Sequence, residues 1–404
     1  MRRMGQTAVG IGLCVPFVND ATYVESLSAL AKQAPNSRRI FEVYGSLPQD
    51  PVGNLRPAES IRPTSLDELK RHIARLHEAN IRFNYVMNSE LLPIPLTPSY
   101  RREVLSFVDN LVACGVDEIT VTIPYLMSLF KKHVPSLRVN ASICNEIASV
   151  REAVEFEQLG AGVLVLDRDA NRDFELIRQI RQHVRAEIKV LCNSACVYHC
   201  INVHYHGTYS SALSSSAMPL RTADATAPLT PYCSYYCRLR FFSDPAELIR
   251  MHWIRPEDLD LYAQEGVALF KIDGRDKDPA YLLEVTRAYL TGSYEGNLFH
   301  LLQPEFVRDM DEISLGDGEQ RPELDTARLR ALTEDYLAER SAWPLGIDNR
   351  DLDGFAHAFV TGKVACQGNC VDCGYCDAFA HRIRYDAPWR DEMIQVMRYN
   401  YEQY

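Results

Sequence analysis

Eight short apolar runs alternate with amphipathic helical segments along the first three quarters of the chain, and this alternation restricts the fold more than any other feature. The runs cover residues 8–15, 39–44, 82–87, 118–122, 137–140, 162–166, 188–191 and 268–272. Between them, segments such as 65–79, 101–114, 146–159 and 172–184 place apolar residues with helical period. Eight strands joined by helical crossovers is the count of an α/β fold of the (β/α)8, TIM-barrel-like type, with an open doubly wound sheet as the alternative. The chain has no Gly-rich phosphate fingerprint and no fixed-period repeat, so a dinucleotide site has no support.

The regularity breaks once. About 75 residues separate the seventh run from the eighth, far more than one crossover helix needs. An insertion there follows the C-terminal end of a barrel strand, where barrels of this type carry their active sites. The expected organisation is therefore a barrel over 1–291, with a cluster-binding insertion or lid at 192–267, and a C-terminal extension over 292–404. Residues 207–231 are rich in Ser, Ala and Thr and read equally as a lid or a spacer. In the extension, a helix is expected over 323–339, flanked by acidic loops.

Five of the twelve cysteines fall at the insertion: Cys192, Cys196, Cys200, Cys233 and Cys237. The formal net charge of −11 and the lack of a Lys/Arg block do not indicate a nucleic-acid surface, though a local basic groove stays open. No apolar run is long enough to span a membrane. The basic start and apolar run of residues 1–20 mimic a secretory signal but flow into a strand–loop–helix pattern. The expected location is cytoplasmic, where disulfides are rare and grouped thiolates serve as metal ligands.

A second group lies in the tail, where VACQGNCVDCGYCDAF holds Cys366, Cys370, Cys373 and Cys376. Four soft ligands at this spacing approach ferredoxin-like runs and point to an iron–sulfur cluster; a structural zinc site is the alternative. A radical-SAM site would require three cysteines near the first strand and an open iron, and the fourth cysteine here would fill that position. Cys14, Cys114 and Cys144 fall in strand or helix contexts and read as core thiols.

The segment LFKIDGRDKDPAY at residues 269–281 resembles the K-I-[ED]-G-R-x-K-x-x-x-Y stretch of the collagenase-like U-type peptidase family. That family includes iron–sulfur proteins of oxygen-independent ubiquinone biosynthesis and of RNA hydroxylation. FEVYGSLP at 41–48, GVDEITVTIPYL at 115–126, GAGVLVLDRDAN at 160–171, LCNSAC at 191–196 and PYCSYYCR at 231–238 are similar to other family segments, in the family's order. The resemblance implies a barrel with a [4Fe–4S] cluster held by Cys196, Cys200, Cys233 and Cys237, with Cys192 in reserve where the family commonly has His. The tail group lies outside the common pattern and implies a branch with two [4Fe–4S] clusters. It further implies a redox enzyme, most simply an oxygen-independent hydroxylase acting on a small organic or carboxylate substrate, with an electron-donor protein or homologous subunit as partner. Family hydroxylases draw oxygen from a dicarboxylate, for which Arg238 and Arg275 are the candidate clamps; Arg240 reads equally as a surface ion-pair partner.

Three further residues are candidate catalytic groups. Lys271 and Asp273 alternate with apolar Ile272 across the eighth strand, so the charged pair is expected to face the interior. His206 stands out among the histidines near the cysteines because Gly207 beside it leaves room for a substrate. Glu42 and Asn88 are weaker site candidates, with a structural role as the alternative. A non-catalytic electron-transfer subunit is the competing function. A peptidase is less favoured, because the chain has neither a nucleophile elbow nor an HEXXH helix and cluster ligation would consume most of its thiols.

Overall fold

The computed structural model describes residues 10–214, 232–302, 323–338 and 343–404. Eight parallel strands close into a barrel in sequence order: β1 (Ile11–Pro16), β2 (Arg38–Gly45), β3 (Arg82–Met87), β4 (Glu118–Val121), β5 (Arg138–Ala141), β6 (Ala161–Val165), β7 (Glu187–Leu191) and β8 (Val267–Lys271). Closure is by β1 on β8, with Gly12, Leu13 and Cys14 opposite Leu269, Phe270 and Lys271. All eight expected strands are present, with ends shifted by up to three residues; residues 8 and 9 of the first lie outside the described residues.

The crossover helices are α1 (Ala21–Lys32), α2 (Leu66–Glu78), α3 (Pro98–Ala113), α4 (Pro124–His133), α5 (Val150–Gln158) and α6 (Phe174–His183). Their starts follow local chemistry. Ser65 and Glu68 form a reciprocal capping box on α2, and Thr97 caps α3 ahead of Pro98. The helix expected from residue 146 begins only at Val150. Glu146 adopts a left-handed conformation (φ 48°) that closes a 3-10 turn at Ile143–Asn145, and Ser149 is the true N-cap.

In the insertion, α7 (Val203–Ser214), α8 (Tyr232–Ser243), α9 (Ala246–Arg250) and α10 (Leu259–Gln264) precede β8, and α11 (Pro279–Thr291) follows it. The stretch read as lid or spacer is thus helical up to Ser214; its remainder, 215–231, lies outside the described residues. Helix α7 is docked rather than loose. The Ser211 hydroxyl accepts from the Glu90 N–H (2.9 Å) and the Ser214 hydroxyl from the Asn54 N–H (3.0 Å), which ties α7 to the loops after β3 and β2.

Of the expected tail helix, Thr326–Ala338 is described as helical, and most of the acidic loop ahead of it falls among the undescribed residues 303–322. The terminal helix Ala387–Glu402 packs on α8, with Trp389 edge-on to Phe242 at 5.3 Å.

The barrel interior is polar at mid-height. Lys189 (β7) donates to Glu42 (β2) at 2.6 Å, Asn84 donates to Glu42 at 3.1 Å, Thr120 to Asn84 at 2.9 Å and Asn140 to Glu118 at 3.0 Å. The Lys189 and Glu42 side chains are only 2% and 1% exposed. Burial pulls the Lys189 ammonium down, but Cys14, Glu42 and Glu118 around it more than offset this and hold it well above the ordinary lysine range. Glu42 is therefore part of a buried ion pair, its structural alternative, rather than an open site residue.

Candidate metal centres and the barrel mouth

The C-terminal ends of β2 and β8 bring a cationic group to the mouth. Lys271, the last residue of β8, turns inward with its ammonium 4.5 Å from the centre of the Tyr44 ring, while Ile272 is fully buried on the other side. Burial lowers Lys271 to about 8; Asp273 opposes the shift, and the like charges of Arg275 and Lys189 add to it. Arg275 donates to the Ser46 hydroxyl (3.1 Å) and is lowered by burial and by neighbouring Arg56. Arg56 lies 3.5 Å from both Asp273 and Asp276. Asp273 departs from the expected interior position: β8 ends at Lys271, and the Asp273 carboxylate is 42% exposed at the rim. Its backbone is fixed by Asn193, whose amide accepts from the Asp273 N–H (2.7 Å) and donates to its carbonyl (3.1 Å).

Cys144 does not lie in the core. It sits on the turn after β5, half-buried at the mouth, where the Asn88 amide reaches its sulfur at 3.6 Å and Lys271 and Arg168 are among its charged neighbours. The other Asn88 amide atom, Oδ1, is buried without a hydrogen-bond partner. The signal available in sequence was the Ser142–Ser149 stretch between strand and helix, which places polar caps on both sides of Cys144.

The insertion cysteines divide by burial. Cys192 follows β7 directly and is fully enclosed in the hydrophobic core; burial alone pushes its thiol up, as for a structural strand-end cysteine. Cys196 is exposed, Cys200 and Cys237 are partly buried, and Cys233 is buried on α8. The Cys233 thiol is raised to about 12 by burial and then by Cys200 and Cys196, which brings these three sulfurs into one electrostatic neighbourhood. Cys237, one helical turn further on α8, donates to the Ser234 carbonyl at 3.2 Å. Arg168, on the turn after β6, is held above the ordinary arginine range chiefly by Cys196.

Arg238 is buried on α8 with its guanidinium 5.9 Å from the Tyr235 ring, whereas Arg240 pairs with Glu247 at 2.5 Å, its surface alternative. His206 is exposed on α7, and the room left by Gly207 is occupied by the Glu90 carboxylate rather than held for a substrate.

All four tail cysteines line one pocket together with Arg250 and Phe359. Burial raises Cys366, Cys370 and Cys376, the last to about 11; Arg172 or Arg250 opposes the shift in each, while neighbouring cysteines add to it. Arg172 reaches Cys376 at 3.7 Å and also donates to the carbonyls of Ile249 (2.8 Å) and Met251 (2.6 Å), so it pins the tail to the insertion. Among the described residues, no group of three or more His, Cys, Asp or Glu side chains is arranged to hold a metal ion. The donor chemistry nevertheless fits a soft metal centre, because clustered thiols resist ionisation until a cation is placed among them.

Residues 43–340 match the model of Peptidase family U32. The chain belongs to this family. This U32 protein is 30% identical over 370 residues to "Uncharacterized protease MJ1657" of Methanocaldococcus jannaschii, covering 89% of the chain and 95% of that relative. It is 25% identical over 235 residues to the "23S rRNA 5-hydroxycytidine C2501 synthase" of Escherichia coli, covering 56% of the chain but only 32% of that protein. Among solved structures, "The Structure of the U32 Peptidase Mk0906" superposes with a TM-score of 0.47 at 14% identity, over 68% of this chain and 96% of that one. No helix among the described residues is long and apolar enough to cross a membrane.

Proposed function

We propose that this U32 protein is an iron–sulfur redox enzyme that modifies an organic substrate at the barrel mouth without molecular oxygen, most simply by hydroxylation. The observation that carries the proposal is the pocket lined by Cys366, Cys370, Cys373 and Cys376, beside a second cysteine group on the insertion. The residues proposed as ligands are those four and Cys196, Cys200, Cys233 and Cys237; Cys192, enclosed in the core, is set aside. Clusters held there would supply one-electron chemistry. The similarity to a relative named as an rRNA hydroxycytidine synthase supports hydroxylation as the reaction class.

In this proposal Arg275 and Lys271 bind an anionic group of the substrate or oxygen donor, Arg275 through its fork and Lys271 as a charge above Tyr44. Asp273 at the rim, held by Asn193, orients Arg56 toward the same group. The Asn88 Oδ1 offers an acceptor for a substrate hydroxyl or amide. The test is anaerobic incubation of the reconstituted protein with reductant, a dicarboxylate and either RNA or a small-molecule extract, followed by mass spectrometry for an added oxygen atom. Absence of product from both pools, with clusters intact, would contradict the enzyme proposal.

An electron-transfer subunit is the second reading, favoured by Val371, which is 95% exposed between Cys370 and Cys373 and opens the tail group to a partner. The two separate on Arg275→Ala, which abolishes turnover of an enzyme and leaves a carrier unaffected. The family's peptidase label finds little support in thiol chemistry. One Cys–His contact at 3.5 Å, Cys366 with His252, joins a thiol raised by burial to an imidazole that burial and Arg172 hold well below its usual pKa. Burial thus disfavours the charged form of each partner, which is the opposite of an activated thiolate–imidazolium pair.

A further inference from the structure

The loop that carries Cys196 and Cys200 is also the loop that touches the tail group. Tyr198, midway between those cysteines, places its hydroxyl 3.7 Å from the Cys366 sulfur. Its ring stacks on His252 with centroids 4.1 Å apart at 26°, and His252 Nε2 lies 3.5 Å from the same sulfur. The His199 ring lies 4.2 Å from that of Tyr198, and its Nε2 stands 3.1 Å from where a Cβ on Gly368, two residues beyond Cys366, would sit. Two rings, Tyr198 and His252, therefore lead from the loop bearing one proposed ligand pair to a thiol of the other set.

The backbone is shaped to hold this arrangement. His199 is held at φ 46°, a left-handed conformation that is strained for a non-glycine residue. Its N–H is fixed by the Asp169 carboxylate at 2.9 Å. Gly368 has φ 82°, and a Cβ there would meet His199 Nε2 at 3.1 Å, so both the conformation and the close approach call for glycine. His252 is buried beside the Tyr198 ring and next to the backbone of Arg168 and Asp169. Strain and a missing side chain are thus both spent on keeping one loop in contact with the other.

We infer that the two cysteine groups form one electron-transfer unit, in which the stacked Tyr198 and His252 couple the tail site at Cys366 to the insertion site at Cys196, Cys200, Cys233 and Cys237. The inference rests on the iron–sulfur proposal above and assigns the tail site the task of receiving electrons at the surface. In each transfer the tail site is oxidised by one electron and the insertion site reduced by one. No bond is made or broken, and a low-potential one-electron donor, such as a reduced ferredoxin-type protein, resupplies the tail site. Tyr198 and His252 act as positioning residues.

The test uses the anaerobically reconstituted full chain, with dithionite-reduced ferredoxin as donor and freeze-quenched electron paramagnetic resonance to follow each site. Tyr198→Ala, with the iron of both sites retained, slows reduction of the insertion site by about tenfold or more, and Tyr198→Phe, which keeps the stack, stays near wild type. His252→Leu, which removes the other ring, reads the same coupling if Tyr198→Ala sheds tail iron. Cys366→Ala with Cys370→Ala leaves the insertion site loaded but slow to reduce. Wild-type reduction rates in the ring variants, with both sites filled, would overturn the inference while leaving the iron–sulfur proposal standing. Zinc or no metal in the wild-type tail site would overturn both, and metal analysis shows this before any rate is measured.

Discussion

Replacing Lys189 by Met tests how the polar barrel interior is held. The ammonium is 2.6 Å from Glu42, and both side chains are almost fully enclosed. Without it, Glu42 keeps the Asn84 amide at 3.1 Å and the neighbouring Cys14 thiol but no cation. Removing one member of a buried pair costs about 3–5 kcal/mol, because the remaining charge stays desolvated. Urea unfolding followed by circular dichroism, at constant slope, measures it. Lys189→Met combined with Glu42→Gln, which keeps an acceptor for Asn84, recovers most of the loss, since neutral replacement of a buried pair is often nearly cost-free. A single variant within about 1 kcal/mol of wild type, or a double variant no better than the single, would refute the reasoning.

Binding of a dicarboxylate at the mouth weakens as pH rises through about 8, because Lys271 loses its charge there; the pH step disappears in Lys271→Met, and calorimetric titration reads both. Arg275→Ala lowers that affinity by about 10-fold or more while iron content stays at the wild-type level. Arg172→Met removes the contact to Cys376 and two carbonyl bonds, and should cost about 2–3 kcal/mol and accelerate loss of tail metal to a chelator. Gly368→Ala forces a Cβ toward His199 at φ 82° and should destabilise the tail by roughly 1–2 kcal/mol, seen as faster proteolysis after the barrel.

The barrel was legible because each strand is a short apolar run set off by a helix with its own caps, as at Ser65 and Thr97, and these signals are local. The alternation of Lys271 and Ile272 was legible for the same reason. Asp273 was not, since the strand stops two residues earlier and Asn193, eighty residues away in sequence, decides its position. Cys144 looked like a core thiol because it directly follows a strand; only the turn closed by left-handed Glu146 brings it to the mouth. The docking of α7 and the place of Gly207 depend on Glu90 from another loop. The contact between the two cysteine groups depends on residues as distant as Tyr198, His252 and Cys366, which no spacing rule connects.

The most direct test of the central claim is the metal content of the protein purified without oxygen, measured with acid-labile sulfide and Mössbauer spectra. Two [4Fe–4S] clusters give about eight irons and eight sulfides per chain, falling to about four of each in Cys233→Ala with Cys237→Ala and also in Cys370→Ala with Cys373→Ala. Zinc without iron in the wild-type protein, or iron content indifferent to both pairs of substitutions, would contradict it.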